Sequence, residues 1–399
     1  MSALPYDIAI FGGGPVGTAL ALWTAATTAR PERLLVLDRQ SEAQARTDPR
    51  VIALSAGSLQ LLARVAPMDE LAAAPITRIH VSQIGHLGRT VLDARDDDVP
   101  AYGVVVRYGE LMRVLGTALA RSGVQVRRPV AVQTCAASPD GVRWTLATDA
   151  DGATTPADAA TNADAPQAAI AVHAEGGLFQ RAGAAPAALV RRDYGQSAVI
   201  SEIDADRRHG GIAYERFGAH GPVALLPLPE PMRYALVWCE RPERAEQIAA
   251  LGEADFLAQL QTAFGHRAGR FLRATPAHAY ALGLVRQPDD EARVVRIGNA
   301  AQALHPVTGQ GLNLGLRDAY GLAQAIARHG ATPEAITHMR AARRTDRWAT
   351  VRITDSLARG FALPFPPLRH AAGLGLLALD LAPALRSALA RQMMFGVRD

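Results

Sequence analysis

The sequence predicts an α/β fold that opens with a Rossmann-like unit, on three observations. The apolar run from Tyr6 to Phe11 leads into a glycine-rich stretch and then into good helix formers, as in a buried strand followed by a helix. A second apolar run, Arg33 to Asp38, completes a βαβ order. Ser197 to Cys239 alternates in strand fashion between Pro and Gly turns, which indicates an antiparallel β region downstream.

The remaining segments are assigned in chain order from apolar periodicity and turn residues. Asp48 to Leu62 is predicted as a loop entering a helix, and Val104 to Arg121 is predicted to hold a second helix. Thr148 to Gln167, rich in Ala, Asp and Thr, is predicted as a mobile surface hairpin loop. The later predictions are a helical segment at Glu253 to Phe271, a buried strand at Val294 to Ile297, a helix after it, a long arginine-rich helix at Pro333 to Leu357, and an apolar tail after Pro364.

Composition excludes several chemistries. Of the 399 residues, 42 are Lys or Arg, and all 42 are arginine. A Schiff-base mechanism and a P-loop both require a lysine, so neither is possible. The net charge of +4 with scattered arginines identifies no partner, and no nucleic acid is expected. The length predicts two or three domains.

Cysteine use and hydropathy predict an intracellular chain without a metal centre. Cys135 and Cys239 are far apart and unaccompanied, which excludes a Cys-rich zinc or iron–sulfur site. No targeting segment is recognised, and the most apolar stretch, Ala371 to Leu385, is short and broken by Asp380 and Pro383. A cytoplasmic location is therefore expected. Peripheral contact with the inner membrane is a further expectation, which comes from the family resemblance described below.

The first glycine cluster predicts a dinucleotide site. Residues 12–17, GGGPVG, fit G-x-G-x-x-G between a strand and a helix. Gly12 permits the tight turn, Gly14 lets the backbone approach a pyrophosphate, and Gly17 lets helix and strand pack closely. The helix N-terminus offers free N–H groups, and Asp38 can accept hydrogen bonds from a ribose diol.

A second glycine cluster separates FAD from NAD. Val294 to Asp318 contains a buried strand, a turn, and Gly309-Gln310-Gly311-Leu312-Asn313 at the start of a helix. Such a loop directs backbone N–H groups at an anion or a ring carbonyl. A plain NAD dehydrogenase has no need of a second site of this kind, so FAD is favoured.

These motifs resemble those of the class A flavoprotein monooxygenases of the p-hydroxybenzoate hydroxylase type. More narrowly, the chain is similar to the ubiquinone-biosynthesis hydroxylases of the UbiH-type branch, 2-polyprenyl-6-methoxyphenol hydroxylases. The narrower resemblance rests on four stretches in the family's order: Asp48 to Ser55, Glu215 to Pro227, Gly298 to Asp318, and Arg352 to Leu357.

The resemblance implies a fold and domain boundaries. It implies a Rossmann-like FAD-binding domain of the p-hydroxybenzoate hydroxylase type, with an interleaved β-sheet substrate domain and a C-terminal helical region. The boundaries implied are residues 1–72, 100–182 and 275–330 for the FAD-binding domain, 73–99 and 183–274 for the substrate domain, and 331–399 for the helical region.

The resemblance also implies roles for individual residues. Gly12, Gly14, Gly17 and Asp38 would hold the ADP half of FAD, with Arg50 and Arg107 near the phosphates or ribose. Gly298 and Asn299 would meet the ribityl region, and Pro306 would lie beside the isoalloxazine. The residues assigned to support of the flavin ring are Gly309, Gly311 and Asn313, and those assigned to the substrate cavity are Phe217 and Pro227.

The chain departs from the family pattern in two places. In the late motif, Asn299 stands for the usual Asp and Gln302 for the His. The middle motif, which contacts FAD and the nicotinamide, is represented by residues 174–181, AEGGLFQR, in which Glu175 keeps the charge and the serine is unmatched. This degenerate motif makes flavin reduction by a nicotinamide the step that most needs a test.

The chemistry implied is hydroxylation of a polyprenylated phenol on the route to ubiquinone. NAD(P)H would reduce FAD, and O₂ would then give a flavin C4a-hydroperoxide that transfers oxygen to the ring. No general base is identified; His305 beside Pro306 is a candidate, and a structural role is its alternative. Two other functions stay open: a non-catalytic flavin-binding subunit of a quinone-biosynthesis complex, and a hydroxylase of a small aromatic compound.

Two C-terminal features have both structural and functional interpretations. The arginines between Arg340 and Arg347 either form a solvated helix face or contact acidic lipid or a partner. The apolar tail, with Arg369, Arg386 and Arg391, either packs on the core or lies on a membrane surface near a polyprenyl substrate.

Overall fold

The fold is that of a computed structural model, which describes residues 4–86, 88–147, 166–175, 190–218, 220–286, 291–303, 309–360 and 366–396. The predicted loop at Thr148 to Gln167 lies outside the described residues except for its last two positions. Residues 176–181 of the degenerate middle motif, His305 and Pro306 also lie outside them.

The described residues form β-strands from the start of the chain to the second glycine cluster. In chain order they are β1 (Tyr6–Phe11), β2 (Leu34–Leu37), β3 (Val51–Ser55), β4 (Ala73–Pro75), β5 (Arg78–Gln83), β6 (Arg89–Asp93), β7 (Gly103–Arg107), β8 (Gln125–Arg127), β9 (Val132–Ser138), β10 (Gly141–Leu146), β11 (Gln167–His173), β12 (Val190–Ala205), β13 (Ile212–Phe217), β14 (Pro222–Pro227), β15 (Arg233–Glu240), β16 (Phe271–Ala274), β17 (His278–Arg286), β18 (Val294–Arg296) and β19 (Gln302–Ala303).

The α-helices of the same residues surround these strands or follow them at the C-terminal end. They are α1 (Pro15–Ala25), α2 (Glu42–Arg46), α3 (Ala56–Leu62), α4 (Tyr108–Ala120), α5 (Pro242–Ala249), α6 (Glu253–Phe264), α7 (Gln310–His329), α8 (Pro333–Gly360), α9 (Pro366–Asp380) and α10 (Pro383–Phe395).

Two sequence predictions differ from these bounds. The segment Asp48 to Leu62, predicted as a loop entering a helix, contains strand β3. This strand forms because Val51 to Ser55 pairs with β7, with Val51 opposite Arg107. The helix predicted to reach Phe271 ends at Phe264, where Gly265 adopts φ +80 and Phe271 starts strand β16 instead. Local periodicity missed both, since each strand exists only through pairing with a distant segment.

The first sheet carries the Rossmann-like unit. Among the described residues it has seven strands, with β8-β2-β1-β11 and β18 parallel and β10 and β9 added antiparallel. Helix α1 begins with Pro15 at its first turn and is buried on nearly all sides, because it lies between the sheet and α7. The predicted βαβ start is therefore confirmed, and it brings the glycine loop to the carboxyl end of β1.

The second sheet has nine strands in the described residues, ordered β19-β17-β12-β15-β14-β13-β5-β6, with β16 on β12. It is antiparallel except where β13 pairs with β5. A small sheet, β3-β7-β4, shares the core of the first sheet through Leu54 and Val106. The domain boundaries stay a prediction; β17, within the range 275–330 expected for the FAD-binding domain, pairs with β12 of the nine-stranded sheet.

The nine-stranded sheet has two apolar faces with different neighbours. Tyr214, Leu225 and Leu236 share a cluster with Phe256 and Phe264, so this face packs on α5 and α6. On the other face, the alternate residues Ala213, Leu226 and Ala235 share a cluster with Ala53 and Val105 of the small sheet. We call this second side the inner face of the sheet, because it is directed at the small sheet.

Buried ion pairs hold α7 against α8. Asp318, fully buried, accepts hydrogen bonds from Arg343 at 3.1 Å and Arg347 at 2.9 Å. Asp346, 2% exposed, pairs with Arg317 at 2.9 Å and also with Arg343. Arg343 and Arg347 therefore do not belong to a solvated face, although Arg344 between them is exposed. They fix the helix that starts at the second glycine cluster.

The C-terminal helices α9 and α10 lie against the flank of the nine-stranded sheet and contact β6. Asp380 accepts a hydrogen bond from the Val91 N–H, and Met394 is buried beside Leu92 and Tyr102. In the described part of the chain, no single helix has the length and hydropathy to cross a membrane, whereas Gly373–Asp380 and Pro383–Phe395 meet those criteria together with a bend of 102°.

Candidate active site

The β1–α1 loop is packed so closely that Gly12 and Gly17 cannot be replaced by a residue with a side chain. Gly12 has φ +107, and a Cβ there would lie 2.7 Å from the backbone nitrogen of Glu175. A Cβ on Gly17 would overlap the carbonyl oxygen of Gly12. Gly14 is the N-cap of α1, so the free N–H groups of the first helical turn are at the loop. This cradle fits a pyrophosphate approached closely by the backbone.

Asp38 is placed where the sequence predicts and braces the loop. Its carboxylate is 9% exposed and accepts hydrogen bonds from the Gly13 N–H at 2.8 Å and the Gln40 N–H at 2.9 Å. Arg128, which the sequence did not indicate, donates to the Gly13 carbonyl at 2.7 Å. A carboxylate accepts about four hydrogen bonds, so Asp38 retains capacity for a ribose diol.

Arg50 reaches the same loop through an aromatic neighbour. Its guanidinium is bound to Asp48 at 2.7 Å and lies 4.4 Å above the ring of Tyr108. A Cβ on Gly14 would be 3.0 Å from the Tyr108 hydroxyl, so this hydroxyl borders the glycine loop. Burial raises the pKa of Tyr108 to about 12, and the group therefore stays an O–H donor at neutral pH. Sequence reasoning missed Tyr108.

Arg107 is directed elsewhere. It donates to Glu202 at 3.1 and 3.2 Å and to Glu230 at 3.0 Å, both on the nine-stranded sheet side. The hydrogen bonds to these carboxylates raise the pKa of Arg107. The structure therefore directs the Arg107 side chain away from Arg50 and the glycine loop, and it pairs Arg107 of the small sheet with carboxylates of the nine-stranded sheet side.

The second glycine cluster lies against the first. Gly298 has φ +59, and a Cβ on Gly315 would be 2.8 Å from the Gly298 Cα and 2.9 Å from Val16 of α1. Asn299 is next to Gly311: a Cβ added to Gly311 would lie 3.8 Å from the Asn299 Oδ1. Close packing of α7 on α1 therefore places both predicted loops on one side of the first sheet.

Asn313 fixes the second loop through three hydrogen bonds. It is 2% exposed, and its amide donates to the Ala53 carbonyl at 3.0 Å and the Gly309 carbonyl at 2.9 Å. Its Oδ1 accepts from the Ser55 N–H at 2.8 Å. Gly309, with φ +58, starts α7 beside Ala53. Asn313 thus connects the second glycine loop to β3.

The two predicted substrate residues lie on different faces of the nine-stranded sheet. Phe217 is 3% exposed and follows Ala213 by an even number of residues on β13, which places it on the inner face. Pro227 alternates with Leu226 and therefore lies on the side of Val223 and Leu225, toward α5 and α6. The inner face also carries Ala224 and Leu226, which the sequence did not single out.

The remaining predicted positions contribute less. Glu175 is exposed, and its backbone nitrogen borders Gly12. Pro306, His305 and residues 176–181 lie outside the described residues. In the described part of the chain, no group of His, Cys, Asp and Glu side chains has the arrangement of a metal site.

A family model described as FAD binding domain matches residues 5–353. The chain belongs to this family of FAD-dependent monooxygenases. It is 30% identical to the ubiquinone hydroxylase UbiL of Rhodospirillum rubrum, over 97% of this chain and 89% of the relative. It is 28% identical to the 3-demethoxyubiquinol 3-hydroxylase of Escherichia coli, over 97% of each chain.

Solved structures agree on the fold. The p-nitrophenol 4-monooxygenase PnpA from Pseudomonas putida superposes with a TM-score of 0.74 at 17% identity, covering 100% of both chains. This likeness confirms the predicted fold class, and the family confirms the predicted FAD cofactor. The protein is an FAD-dependent monooxygenase, and the two glycine loops have the steric and hydrogen-bonding character that FAD requires.

Proposed function

We propose that this enzyme hydroxylates the aromatic ring of a polyprenylated phenol in ubiquinone biosynthesis, with FAD, O₂ and NAD(P)H. The observation that carries the proposal is the inner face, a largely apolar sheet surface directed at the second glycine loop. Relatives named for ubiquinone hydroxylation over nearly the whole chain support it. Bound FAD supplies the redox chemistry, and the protein's contribution is to position the ring and exclude water.

The residues of the chain have separable tasks in this reaction. The glycine loop, α1 and Tyr108 would hold the diphosphate of FAD, and Asp38 its ribose. Asn313 and the α7–α8 ion pairs would keep the second loop rigid against the flavin. Phe217, Ala224 and Leu226 would present an apolar wall to the substrate ring.

The experiment uses purified, FAD-loaded protein and a geranyl-substituted phenol. Anaerobic addition of NAD(P)H is expected to bleach the flavin, and admission of O₂ is expected to give a catechol or quinol detected by mass spectrometry. Flavin that NAD(P)H does not bleach would favour the non-catalytic subunit suggested by the degenerate middle motif. Turnover of phenol itself with no gain from the geranyl chain would favour a hydroxylase of small aromatics.

We also propose that the C-terminal hairpin of α9 and α10 contacts the membrane surface in which a polyprenyl substrate dissolves. Its exposed large apolar side chains in the described residues are leucines at 39–76% exposure: Leu374, Leu377, Leu381 and Leu385. Patches of exposed leucine are uncommon on monomeric proteins and mark interaction surfaces. Arg386 is held by Asp96 at 2.9 Å, so the four leucines, and not Arg386, would make this contact.

Flotation with phospholipid vesicles tests this contact. The wild-type enzyme is expected to float with the vesicles, and a variant with Leu381→Ser and Leu385→Ser is expected to remain below. Leu272→Ser, a leucine of 51% exposure on β16, is the matched control that should still float. Equal flotation of all three proteins would overturn the membrane contact.

A further inference from the structure

One carboxyl group on the inner face has no role in FAD binding or in the apolar wall. Glu215 is on β13 between Ala213 and Phe217, and strand alternation places all three on the same side of the sheet. Ala213 shares an apolar cluster with Ala53, which borders Gly309 of the second glycine loop. Glu215 is therefore directed to the space between the sheet and that loop.

The surroundings of Glu215 are apolar. Across the sheet the nearest members of its row are Val81 on β5 and Ala224 on β14, followed by Val237 on β15 and Ile200 on β12. The row ends at Thr90 on β6 and at His278 on β17, which is separated from Glu215 by three strands. Its Oε1 is buried and has no hydrogen-bond partner within the described part of the chain. A buried carboxyl oxygen without a partner is costly unless a ligand or a water molecule completes its hydrogen bonding.

The charges around Glu215 do not neutralise it. Burial raises its pKa well above the usual range of a glutamate. On the same face, Cys239 is the titratable neighbour from β15, and its pKa is raised first by burial and then by Glu215. The cations of β13 and β5 belong to the opposite face: Arg216 lies over the Phe264 ring and His80 contacts Arg267. At the flank, the Asp380 carboxylate of α9 accepts from Val91.

We propose that Glu215 is a catalytic residue that binds the phenol hydroxyl of the substrate and accepts its proton. The proposal rests on the ring hydroxylation proposed above. Two other side chains on the inner face, Gln83 opposite Phe217 and Thr90 opposite Val81, also have buried oxygens without a described partner. Neither side chain accepts a proton near neutral pH. A glutamate whose pKa is raised is a stronger base than an exposed one and is closer in basicity to a phenol.

The proton transfer balances with the known chemistry of the family. The phenol O–H bond breaks, the proton goes to Oε1 of Glu215, and the electron pair moves into the ring as the ring carbon bonds to one oxygen atom derived from O₂ and the O–O bond breaks. The ring carbon then loses its hydrogen as a proton, and Glu215 returns its proton to the phenol oxygen. NAD(P)H supplies two electrons through FAD, and the second oxygen atom leaves as water.

The test compares Glu215→Gln and Glu215→Asp with the wild-type holoenzyme on geranyl-substituted phenol. Glu215→Gln is expected to keep FAD and NAD(P)H-driven flavin reduction, while product formation at pH 7 falls about 100-fold and O₂ is diverted to hydrogen peroxide. Glu215→Asp keeps a carboxylate and should restore part of the product. In the wild type, product formation should rise with pH as Glu215 loses its proton, and this rise should be absent in Glu215→Gln.

Glu240→Gln is the matched control, because Glu240 on β15 also has a buried oxygen without a described partner, but on the Trp238 side of the sheet. It should hydroxylate like the wild type. FAD content and thermal unfolding verify that each variant is folded. If Glu215→Gln makes product at the wild-type rate and with the wild-type pH profile, the role of Glu215 is refuted while the ring hydroxylation stands. A wild-type enzyme that makes no product refutes the ring hydroxylation itself.

Discussion

The two glycine loops lie close together but are held in different ways. The first is fixed by neighbours in the βαβ unit: the Gly12 N–H donates to the Leu37 carbonyl at 2.8 Å and the Gly13 N–H to Asp38. The second is fixed by partners far along the chain, since Asn313 binds Ala53 and Ser55. The first loop is therefore a local device, whereas the second depends on the assembled fold.

The largest effect is expected for Gly17→Val in the first loop. A side chain there overlaps the Gly12 carbonyl, so the strand and helix must separate, at a cost of about 4 to 5 kcal/mol. The purified variant should contain no FAD by absorbance. Gly116→Ala in α4 is the control, since its nearest atom is 3.9 Å from the new Cβ, and it should keep full FAD. A fully flavinylated Gly17→Val protein would show that the loop is not packed as described.

A second prediction concerns the ion pairs that support the second loop. Asp318→Ala leaves Arg343 and Arg347 without their carboxylate in a buried place, and the loss should be about 3 to 4 kcal/mol in the free energy of unfolding. Denaturant unfolding measures it. Glu42→Gln removes an exposed pair with Arg46 and should cost less than about 1 kcal/mol. Equal effects of the two changes would mean that α7 is not anchored through Asp318.

Asn313→Asp tests the second loop more locally. The carboxylate keeps the acceptor for Ser55 but faces the Ala53 and Gly309 carbonyls with no donor, at a cost of about 2 to 3 kcal/mol. FAD affinity should therefore fall, as followed by the return of flavin fluorescence on dilution. Unchanged affinity would separate this loop from the cofactor.

The smallest effect is expected for Arg107→Ala. This variant distinguishes the cofactor contact implied by the family resemblance from the ion pairs seen in the structure. The resemblance implies contact with FAD, whereas the structure pairs Arg107 with Glu202 and Glu230. Since these pairs are partly exposed, stability should fall by about 1 kcal/mol or less, with unchanged FAD affinity. A large loss of FAD affinity without loss of stability would restore the cofactor role.

The contrast between the loops also explains how far the sequence could predict this molecule. The strand, the loop, α1, the second strand and Asp38 are contiguous, so their spacing alone predicts how they assemble. The second cluster was located by its glycines and by the family resemblance. The fold class followed from the same motifs together with the alternating strands.

Pairing across distant segments accounts for what was missed. Arg128 reaches Gly13 from the segment after β8, and Tyr108 reaches Gly14 from the start of α4, with no motif to mark either residue. The arginines around Arg343 look like a solvated run in the sequence, because their partner Asp318 is on another helix. Glu215 lies in the stretch Glu215 to Pro227 that carries the family resemblance, but nothing in the sequence marks it. Its lack of a hydrogen-bond partner becomes visible only when β5 and β14 are paired with β13.

Oxygen labelling tests the central claim most directly. Purified, FAD-loaded enzyme is given NAD(P)H, geranyl-substituted phenol and ¹⁸O₂, and the product is analysed by mass spectrometry. We predict a hydroxylated product with a single labelled oxygen atom for each NAD(P)H consumed. Bleaching of the flavin and consumption of O₂ with labelled hydrogen peroxide as the sole product would contradict the assignment of this chain as a ring hydroxylase of prenylated phenols.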